Sequence, residues 1–541
     1  MNFLNYTNKP ENNQGNVEYK FKLIEKNNDR INNLVTQMRY RVDEGNGEAI
    51  YVIGIMDDGE MVGITKDEYT KTIMTLKSCA DKNNYVVKLL SKTEKNNKFV
   101  YEILIRENNI SNYIDIKVAV AGNVDSGKSS TIGTLISDRL DDGRGLNRLK
   151  VFNHQHEVNS GRTSSVSQSI LGFDIDGNIV NYNDFSKKMS WEDIVKASKK
   201  IVSFFDLCGH KKYFKTTIRG LTSTLPDVCL VMVGGNMGLS RMTREHIFLC
   251  ITMNIPFCIV VTKMDLCETR KNVLKETTEK INKLLKLPGI RRIPYNVNKF
   301  DDVLVASKNI HSESIVPIFK ISNVTGIGLD QLKHFLNLLQ KKQNKSKDDN
   351  VEFYIDTIFN VKGVGIVVGG NITSGTIKTG DKLLLGPIMG KYKPITIKSI
   401  HDKKMLVDKI SCDKYACFSI KKIQRNELRK GQVIINGPPV SVTEFDAEIL
   451  ILKSNHTTIR VGYEPVLHTG SIRQIAKIIN ISNKINYRKT NVNDDNILRT
   501  GDKANVRFKF KFRPEFIKPN TKILFTEGNI KVVGVVKNIF Q

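Results

Sequence analysis

Apolar and polar residues alternate with different periods along the 541-residue chain, and the changes of period divide it into parts. Residues 116–340 alternate short apolar runs with stretches of helical spacing such as 271–287, which predicts a doubly wound, mostly parallel sheet. Residues 351–440 and 441–541 carry short strand-like runs broken by Gly and Asn turns, which predict two small β-barrels. The charged run 341–350 predicts a linker.

Residues 1–115 form a further part, in which strand-like runs surround two helix-like stretches, 29–45 and 65–83. This order predicts an N-terminal α+β domain with both helices on one side of a sheet. The sequence leaves two roles open for this domain. It could be an arm that contacts RNA or a partner, or a module that stabilises or regulates the protein. The expected fold class is an α/β domain followed by two β-barrels, with an N-terminal α+β extension.

The stretch AVAGNVDSGKSSTIG, at 119–133, joins a predicted buried strand to a predicted helix. Gly122 and Gly127 can adopt backbone angles closed to other residues, so that successive N–H groups point inward around phosphate oxygens. Lys128 would place a charge beside the outer phosphates and the Ser129 hydroxyl would bind Mg²⁺, as in a G-x-x-x-x-G-K-[S/T] loop. The predicted nucleotide-binding residues of this loop are Gly122, Asn123, Val124, Asp125, Ser126, Gly127, Lys128, Ser129 and Ser130.

The stretch IVSFFDLCGH, at 201–210, is a second apolar strand with polar residues at its end. Asp206 would hold Mg²⁺ through a water molecule, and the Gly209 N–H would contact a terminal phosphate that is lost on hydrolysis. Because parallel strands end at one edge of a sheet, both stretches are expected to serve one nucleotide site.

Two further strand ends specify the base. They lie in FCIVVTKMD (257–265) and IFKISNVTG (318–326), and they contribute Thr262, Lys263, Asp265, Ser322, Asn323 and Val324. A carboxylate at Asp265 accepts hydrogen bonds from two neighbouring N–H groups of guanine, whereas adenine offers no such pair. A backbone N–H beside Asn323 would meet the guanine O6. The predicted ligand is therefore GTP with Mg²⁺.

The net charge of +27 is weighted towards the C-terminus, where residues 341–541 hold 36 Lys and Arg against 18 Asp and Glu. The stretches 421–430 and 507–518 place cations on strand-like segments, the second in alternation with aromatic residues. A solvated face would explain either stretch alone, but the whole C-terminal part favours a broad contact with RNA or the ribosome.

Other classes of protein are disfavoured by composition. No apolar run approaches the ~20 residues that span a bilayer, and the first residues lack the apolar segment of a signal peptide. The eight cysteines lack zinc-type spacing and indicate reduced thiols. We expect a cytoplasmic monomer with no membrane partner, and no pattern in the chain indicates DNA as a partner.

Three long phrases carry a resemblance: AGNVDSGKSS, LDDGRGLNRLKVFNHQHEVNSGRTSSVSQSILGFD and DLCGHKKYFKTTIRGL. They resemble a translational GTPase of the elongation-factor type, and most closely the group called GTP-binding protein one and two. The resemblance covers nearly the whole chain. It implies a P-loop GTPase domain over 116–340, followed by barrels similar to the second and third domains of elongation factors.

The same resemblance implies a first switch, in which a hydroxyl completes the Mg²⁺ shell only while the γ-phosphate is present. The switch residues are Gly161, Arg162, Thr163, Ser164 and Ser165. Alignment of Arg162 with the arginine of the elongation factors' Arg-Gly-Ile-Thr puts Ser165 at the metal-binding threonine, with Thr163 and Ser164 as alternatives. The implied metal ligands are Ser129, Ser165 and Asp206.

His210 matches the family's catalytic histidine, which orients the attacking water once the ribosome positions it. Thr262 departs from the family pattern, because it replaces the Asn of N-K-x-D. Its shorter side chain is expected not to make the same hydrogen bonds to the phosphate loop, while Asp265 still selects guanine.

The resemblance implies a GTP-hydrolysing switch that acts on the ribosome, on tRNA or on another RNA. No arginine finger is evident, so slow hydrolysis by the protein alone and acceleration by a partner are expected. An alternative function is an RNA-decay or signalling scaffold that uses the same switch without delivering tRNA.

Overall fold

The computed structural model of the protein describes residues 15–24, 27–95, 97–108, 113–152, 154–161, 163–182, 189–287, 290–341, 350–453, 459–486, 497–527 and 530–540. The predicted switch residue Arg162 and most of the predicted linker 341–350 lie outside these residues. Among the described residues, single-turn 3-10 helices lie at Asn147–Lys150, Lys211–Tyr213, Ile310–Ser312 and Arg425–Glu427.

The N-terminal part is an α+β domain built on a four-stranded sheet in the order β1-β2-β4-β3. Its strands are β1 (Val17–Lys20), β2 (Glu48–Ile53), β3 (Tyr85–Lys95) and β4 (Lys98–Glu107), and its helices are α1 (Asn28–Glu44) and α2 (Lys66–Lys82). Asn27 and Thr65 cap the two helices by accepting backbone N–H groups. Both helices bury apolar side chains in one cluster with the sheet, which confirms their predicted placement on one side.

The central sheet has the order β10-β11-β9-β8-β5-β7-β6, and its pairs are parallel except for the antiparallel pair of β6 with β7. Its strands are β5 (Ile114–Gly122), β6 (Ser167–Phe173), β7 (Lys200–Asp206), β8 (Val228–Gly234), β9 (Phe257–Thr262), β10 (Ile293–Asn296) and β11 (Ile315–Lys320). Every residue of β5, β7, β8 and β9 is buried, as expected for a parallel sheet covered on both faces.

Helices cover both faces of the central sheet. The helices of this part are α3 (Lys128–Ser137), α4 (Gln155–Ser160), α5 (Trp191–Ala197), α6 (Phe214–Thr224), α7 (Arg241–Met253), α8 (Met264–Cys267), α9 (Lys271–Leu285), α10 (Phe300–Asn309) and α11 (Leu329–Leu338). Side chains of α3, α10 and α11 join the core of one face, and side chains of α6, α7 and α9 join the core of the other. The predicted doubly wound architecture is confirmed.

The first barrel closes through the order β15-β20-β12-β13-β19-β16, with β16 returning to β15. The strands of this part are β12 (Glu352–Val361), β13 (Gly365–Ser374), β14 (Thr376–Lys378), β15 (Lys382–Ile388), β16 (Lys391–Asp402), β17 (Met405–Val407), β18 (Lys409–Ser411), β19 (Tyr415–Lys421) and β20 (Val433–Ile435). All its pairs are antiparallel.

The second barrel closes through β21-β26-β24-β23-β27-β28. The strands of this part are β21 (Glu444–Lys453), β22 (Ile459–Arg460), β23 (Val466–Thr469), β24 (Ile472–Asn486), β25 (Ile497–Leu498), β26 (Asp502–Phe510), β27 (Lys522–Glu527) and β28 (Ile530–Phe540). Both barrels confirm the predicted fold class. In the part of the chain that the structure describes, no helix is both long and apolar enough to cross a membrane.

The stretch 507–518, predicted to be a polyanion-binding surface or else a solvated face, carries salt bridges in the structure. Its cations pair with carboxylates, two of them on the neighbouring strand β21: Arg507 with Asp446, Lys509 with Glu444, Lys511 with Glu464, Arg513 with Glu515, and Lys518 with Glu352. This stretch is therefore a salt-bridged face of the barrel, and its contact with a polyanion stays a prediction.

Candidate nucleotide-binding and switch site

The loop between β5 and α3 takes the shape that its glycines predict. Gly122 and Gly127 have φ angles of 150° and 84°. A Cβ atom on Gly122 would lie 2.6 Å from the carbonyl oxygen of Met232 on the neighbouring strand, so a larger residue would push the loop away from the sheet. The Lys128 Nζ donates to the carbonyl oxygen of Asn123 at 2.8 Å and thereby closes the loop.

The charged end of the site gathers around Lys128. This lysine is buried, and burial lowers the pKa of its ammonium, while the nearby carboxylate of Asp206 acts to raise it. A Cβ atom on Gly209 would lie 2.5 Å from the Lys128 Nζ. Gly209 therefore leaves room for the ammonium at the place where a phosphate would be held.

Three oxygen-bearing side chains meet beside this lysine. The Ser129 Oγ lies 2.5 Å from the Asp206 Oδ2 and 3.1 Å from the Thr163 Oγ1, and the Thr163 hydroxyl also donates to Asp206 at 3.3 Å. The second carboxylate oxygen of Asp206 is buried and has no hydrogen-bond partner among the described residues. Burial raises the pKa of Asp206. The cluster supplies hard oxygen ligands, the type that Mg²⁺ prefers.

Ser165, the predicted switch ligand, lies apart from this cluster. The buried carboxylate of Glu157 on α4 accepts hydrogen bonds from the backbone N–H and the hydroxyl of both Ser164 and Ser165, at 2.7 to 3.1 Å. Because Glu157 engages both serines, the structure brings the Thr163 hydroxyl to Ser129 instead. This arrangement favours Thr163, one of the two alternatives, as the switch hydroxyl beside Ser129, and the metal role of Ser165 stays a prediction.

His210 lies on the wall of the same cleft, directly before the 3-10 helix Lys211–Tyr213. Its Nδ1 accepts a hydrogen bond from the backbone N–H of Lys212 at 3.1 Å. An Nδ1 that accepts carries no proton in the neutral ring, so the proton lies on Nε2.

At the base end, Thr262 corrects an expectation from the sequence. Its hydroxyl, buried at the end of β9, donates to the backbone carbonyl of Ser126 at 2.9 Å. The threonine therefore reaches the phosphate loop despite its length. A Cβ atom on Gly127 would lie 3.3 Å from the same hydroxyl, so the glycine permits this close approach.

Asp265 is held at its place by the loop after β11. The Ser322 hydroxyl donates to the Asp265 Oδ1 at 2.6 Å and accepts the backbone N–H of Val324 at 3.2 Å. The Asn323 side chain turns inward and donates to Thr131 on α3 at 3.0 Å. The carboxylate and the N–H groups of this loop thus lie together, as guanine recognition requires.

These parts enclose one cleft of about 280 Å³. The predicted residues that line it are Val124, Asp125, Gly127, Lys128, Ser129, Ser130, Gly161, Thr163, Gly209, His210, Lys263, Asp265, Asn323 and Val324. Sequence reasoning missed a further set of lining residues: Asp141, Gly143, Arg144, Gly145, Arg148 and Leu266. Most of this set belongs to the phrase LDDGRGLNRLK, whose glycines signal a close backbone approach.

Comparison with known proteins agrees with this geometry. Residues 115–343 match the Elongation factor Tu GTP binding domain, residues 365–435 match the Elongation factor Tu domain 2, and residues 438–536 match the Elongation factor Tu C-terminal domain. GTP-binding protein 1 of Xenopus laevis is 42% identical over 530 residues, which cover 97% of this chain and 79% of that protein. The chain belongs to the elongation-factor-Tu-type GTPase family. Membership in this family implies that the domain binds GTP and is a GTPase.

GTP-binding protein 2 of Homo sapiens is 39% identical over 545 residues, which cover 98% of this chain and 88% of that protein. Among solved structures, translation elongation factor SelB from Methanococcus maripaludis, in complex with the GTP analogue GppNHp, superimposes with a TM-score of 0.53. It shares 19% identity, and the match covers 79% of this chain and 80% of that one. This likeness shows that the family fold is shared.

Proposed function

We propose that the protein is a GTP-hydrolysing switch that acts on the ribosome or on tRNA in the cytoplasm. One observation carries the proposal: Lys128, the Thr163 hydroxyl and His210 line one cleft. A cation for the phosphates, a switch hydroxyl and an imidazole for water are the parts that phosphoryl transfer to water requires.

The oxygen cluster of Ser129, Thr163 and Asp206 fits Mg²⁺, since Asp206 keeps an unpaired buried oxygen. A magnesium ion bound there would neutralise charge that develops on the phosphates. Thr163 belongs to the switch segment whereas Ser129 belongs to the rigid phosphate loop. Joining these two hydroxyls at one point therefore ties the position of the switch to the state of the nucleotide.

We assign His210 to orienting the attacking water rather than to removing its proton. The Nδ1 is occupied by the backbone N–H of Lys212, so the neutral ring offers an Nε2–H donor. A donor in this position holds a water by its oxygen and stabilises negative charge that develops at the reacting phosphate. A partner that fixes the ring would then raise the rate of hydrolysis.

Selection of guanine is assigned to Asp265, with the N–H groups of the Ser322 loop beside it. The Ser322 hydroxyl holds one carboxylate oxygen and so fixes the direction in which the other points. Competition with unlabelled ATP tests this assignment, since ATP at a hundredfold excess over GTP is expected not to displace a labelled GTP analogue.

A set of lysines on the first barrel supports an RNA partner. Lys382 and Lys421 lie on either side of Thr396, on the outer face of three adjacent strands, and Lys398 follows on the same strand as Thr396. All three lysines are exposed, and no described carboxylate pairs with them. They contrast with the paired cations of the second barrel and leave a surface open to phosphates.

The experiment is GTP hydrolysis with and without ribosomes, together with binding of charged and uncharged tRNA in the GTP and GDP states. We expect ribosomes to accelerate hydrolysis. His210→Ala should lower the stimulated rate by about 100-fold or more while GTP still binds. Fast hydrolysis that ribosomes do not change, with tRNA affinity that ignores the nucleotide, would exclude tRNA delivery and favour the scaffold function.

A further inference from the structure

Arg148 is an arginine of the cleft whose role is unassigned. It lies in the 3-10 helix Asn147–Lys150, which is fastened to α3. The Asn147 side chain, itself buried, donates to Thr134 of α3 at 3.1 Å and to the Arg139 carbonyl at 2.8 Å. The backbone from which Arg148 projects is therefore held in place by the same helix that begins at the phosphate loop.

The guanidinium of Arg148 packs closely against two glycines. Gly145 and Gly161 have φ angles of 90° and 64°. A Cβ atom on Gly145 would lie 2.7 Å from the Arg148 Nε, and one on Gly161 would lie 3.1 Å from its Cζ. The guanidinium thus packs against two backbones at once, one before it in the chain and one at the start of the switch.

One N–H donor of the Arg148 guanidinium has no hydrogen-bond partner among the described residues. Its Nε is buried and has no hydrogen-bond acceptor among the described residues, and no described carboxylate forms an ion pair with Arg148. A buried donor without an acceptor is costly, more so when it is charged. Planar guanidinium groups match phosphate oxygens with paired hydrogen bonds. Arg148 shares its cleft with Lys128 and Ser129, at which the phosphates are held.

We propose that Arg148 donates to the phosphate chain of the bound nucleotide and links that chain to the switch turn at Gly161. The proposal rests on the proposed GTP site, and it makes Arg148 a binding and positioning residue of that site. Because the guanidinium touches the Gly161 backbone, loss of the phosphate contact frees the turn that leads to Thr163. The phosphate chain and the switch are then coupled through one side chain.

The test is the affinity of the full chain for GTP, GDP and guanosine, measured by competition against a fluorescent GDP analogue. We expect Arg148→Ala to weaken GTP and GDP binding by about 10- to 100-fold, because hydrogen bonds to charged groups are lost. Arg148→Lys should recover part of the affinity, since it keeps the charge but loses the fork. Guanosine has no phosphate, so its binding should not change.

Arg139→Ala is the matched control, since Arg139 is an exposed arginine of the same segment and its backbone carbonyl survives the substitution. It should bind all three ligands as the unaltered protein does. Equal affinities of Arg148→Ala and Arg139→Ala for GTP and GDP would overturn the proposal. A loss of guanosine binding equal to the loss of GTP binding would also overturn it, because that pattern marks a damaged fold. If the unaltered protein bound no GTP, the proposed function itself would fail.

Discussion

A buried cluster of charged side chains joins the N-terminal domain to the central sheet. The substitution Glu48→Gln tests how much this cluster contributes to stability. The Glu48 carboxylate on β2 pairs with the Arg106 Nε at 3.0 Å and with the Lys200 Nζ at 2.6 Å. Lys200 begins β7, the strand that ends in Asp206. All three charged side chains of the cluster are less than 5% exposed. The substitution keeps the shape of the side chain and removes its charge.

The expected loss of stability depends on the contacts that Arg106 and Lys200 keep after the substitution. Two buried cations would lose their shared carboxylate, and removal of one partner of a buried pair costs about 3–5 kcal/mol. Lys200 keeps hydrogen bonds to the carbonyl oxygens of Asn337 and Leu339, at 2.7 and 2.8 Å. Arg106 keeps hydrogen bonds to the backbone and side-chain oxygens of Asn337, at 3.1 and 3.0 Å. Because these acceptors offset part of the loss, we expect about 3 kcal/mol of destabilisation, at the lower end of that range.

The assay is urea unfolding at pH 7, followed by the fluorescence of Trp191, the single tryptophan of the chain. Glu192→Gln provides the control, since Glu192 forms an i,i+4 pair with Lys196 in which both side chains are more than half exposed. That substitution should cost less than about 0.5 kcal/mol. If Glu48→Gln lowered stability no more than the control does, the buried cluster would not fasten the two parts and the reasoning would be refuted.

Three further predictions concern single side chains. Thr163→Ala should raise the Mg²⁺ concentration needed for nucleotide binding by about tenfold, because one oxygen of the cluster is lost, whereas Ser165→Ala should raise it less; a titration with Mg²⁺ that ranks them in the opposite order would restore Ser165 as the ligand. Thr262→Val should release labelled GDP about fivefold faster, since the hydrogen bond to the phosphate loop is worth about 1 kcal/mol; an unchanged rate in stopped flow would contradict this anchoring role. Burial lowers the pKa of His246 to about 3 in the folded chain. Below pH 6.5 the imidazole therefore binds a proton in the unfolded chain but not in the folded chain, and the free energy of unfolding falls as the pH drops from 6.5 towards 3. Between pH 7 and pH 5, the free energy of unfolding measured in urea should therefore fall by about 2 kcal/mol less in His246→Leu than in the unaltered protein. Equal decreases in the two proteins would show that His246 does not titrate in this way.

The predicted phosphate loop matches the structure because it is local. Gly122, Gly127, Lys128 and Ser129 are separated by few bonds, and a strand on one side with a helix on the other fixes their arrangement. Asp206, Gly209 and Asp265 could also be placed, since the carboxyl ends of parallel strands meet at one edge of the sheet. Periodicity similarly predicted both barrels and the two helices of the N-terminal domain.

The sequence alone could not choose the switch hydroxyl that would bind Mg²⁺. Thr163, Ser164 and Ser165 are neighbours of similar chemistry. In the structure, the buried carboxylate of Glu157 engages the two serines and Thr163 lies beside Ser129. Thr262 was misread for a related reason. Its reach depends on how closely β9 approaches the phosphate loop, and that distance is set by Gly127 and by packing.

The sequence by itself indicated GTP as the ligand, through the residue types at the predicted strand ends, and it determined the order of the α/β part and the two barrels. These follow from residue chemistry, local conformational preference and hydrophobic period. Tertiary structure alone decided which cations are neutralised and which stay available. The alternating cations of 507–518 each meet a carboxylate, whereas Arg148 meets two glycine backbones and no described carboxylate. The sequence gives the charge of each residue. Whether that charge is paired depends on residues that are distant in the chain and close in space.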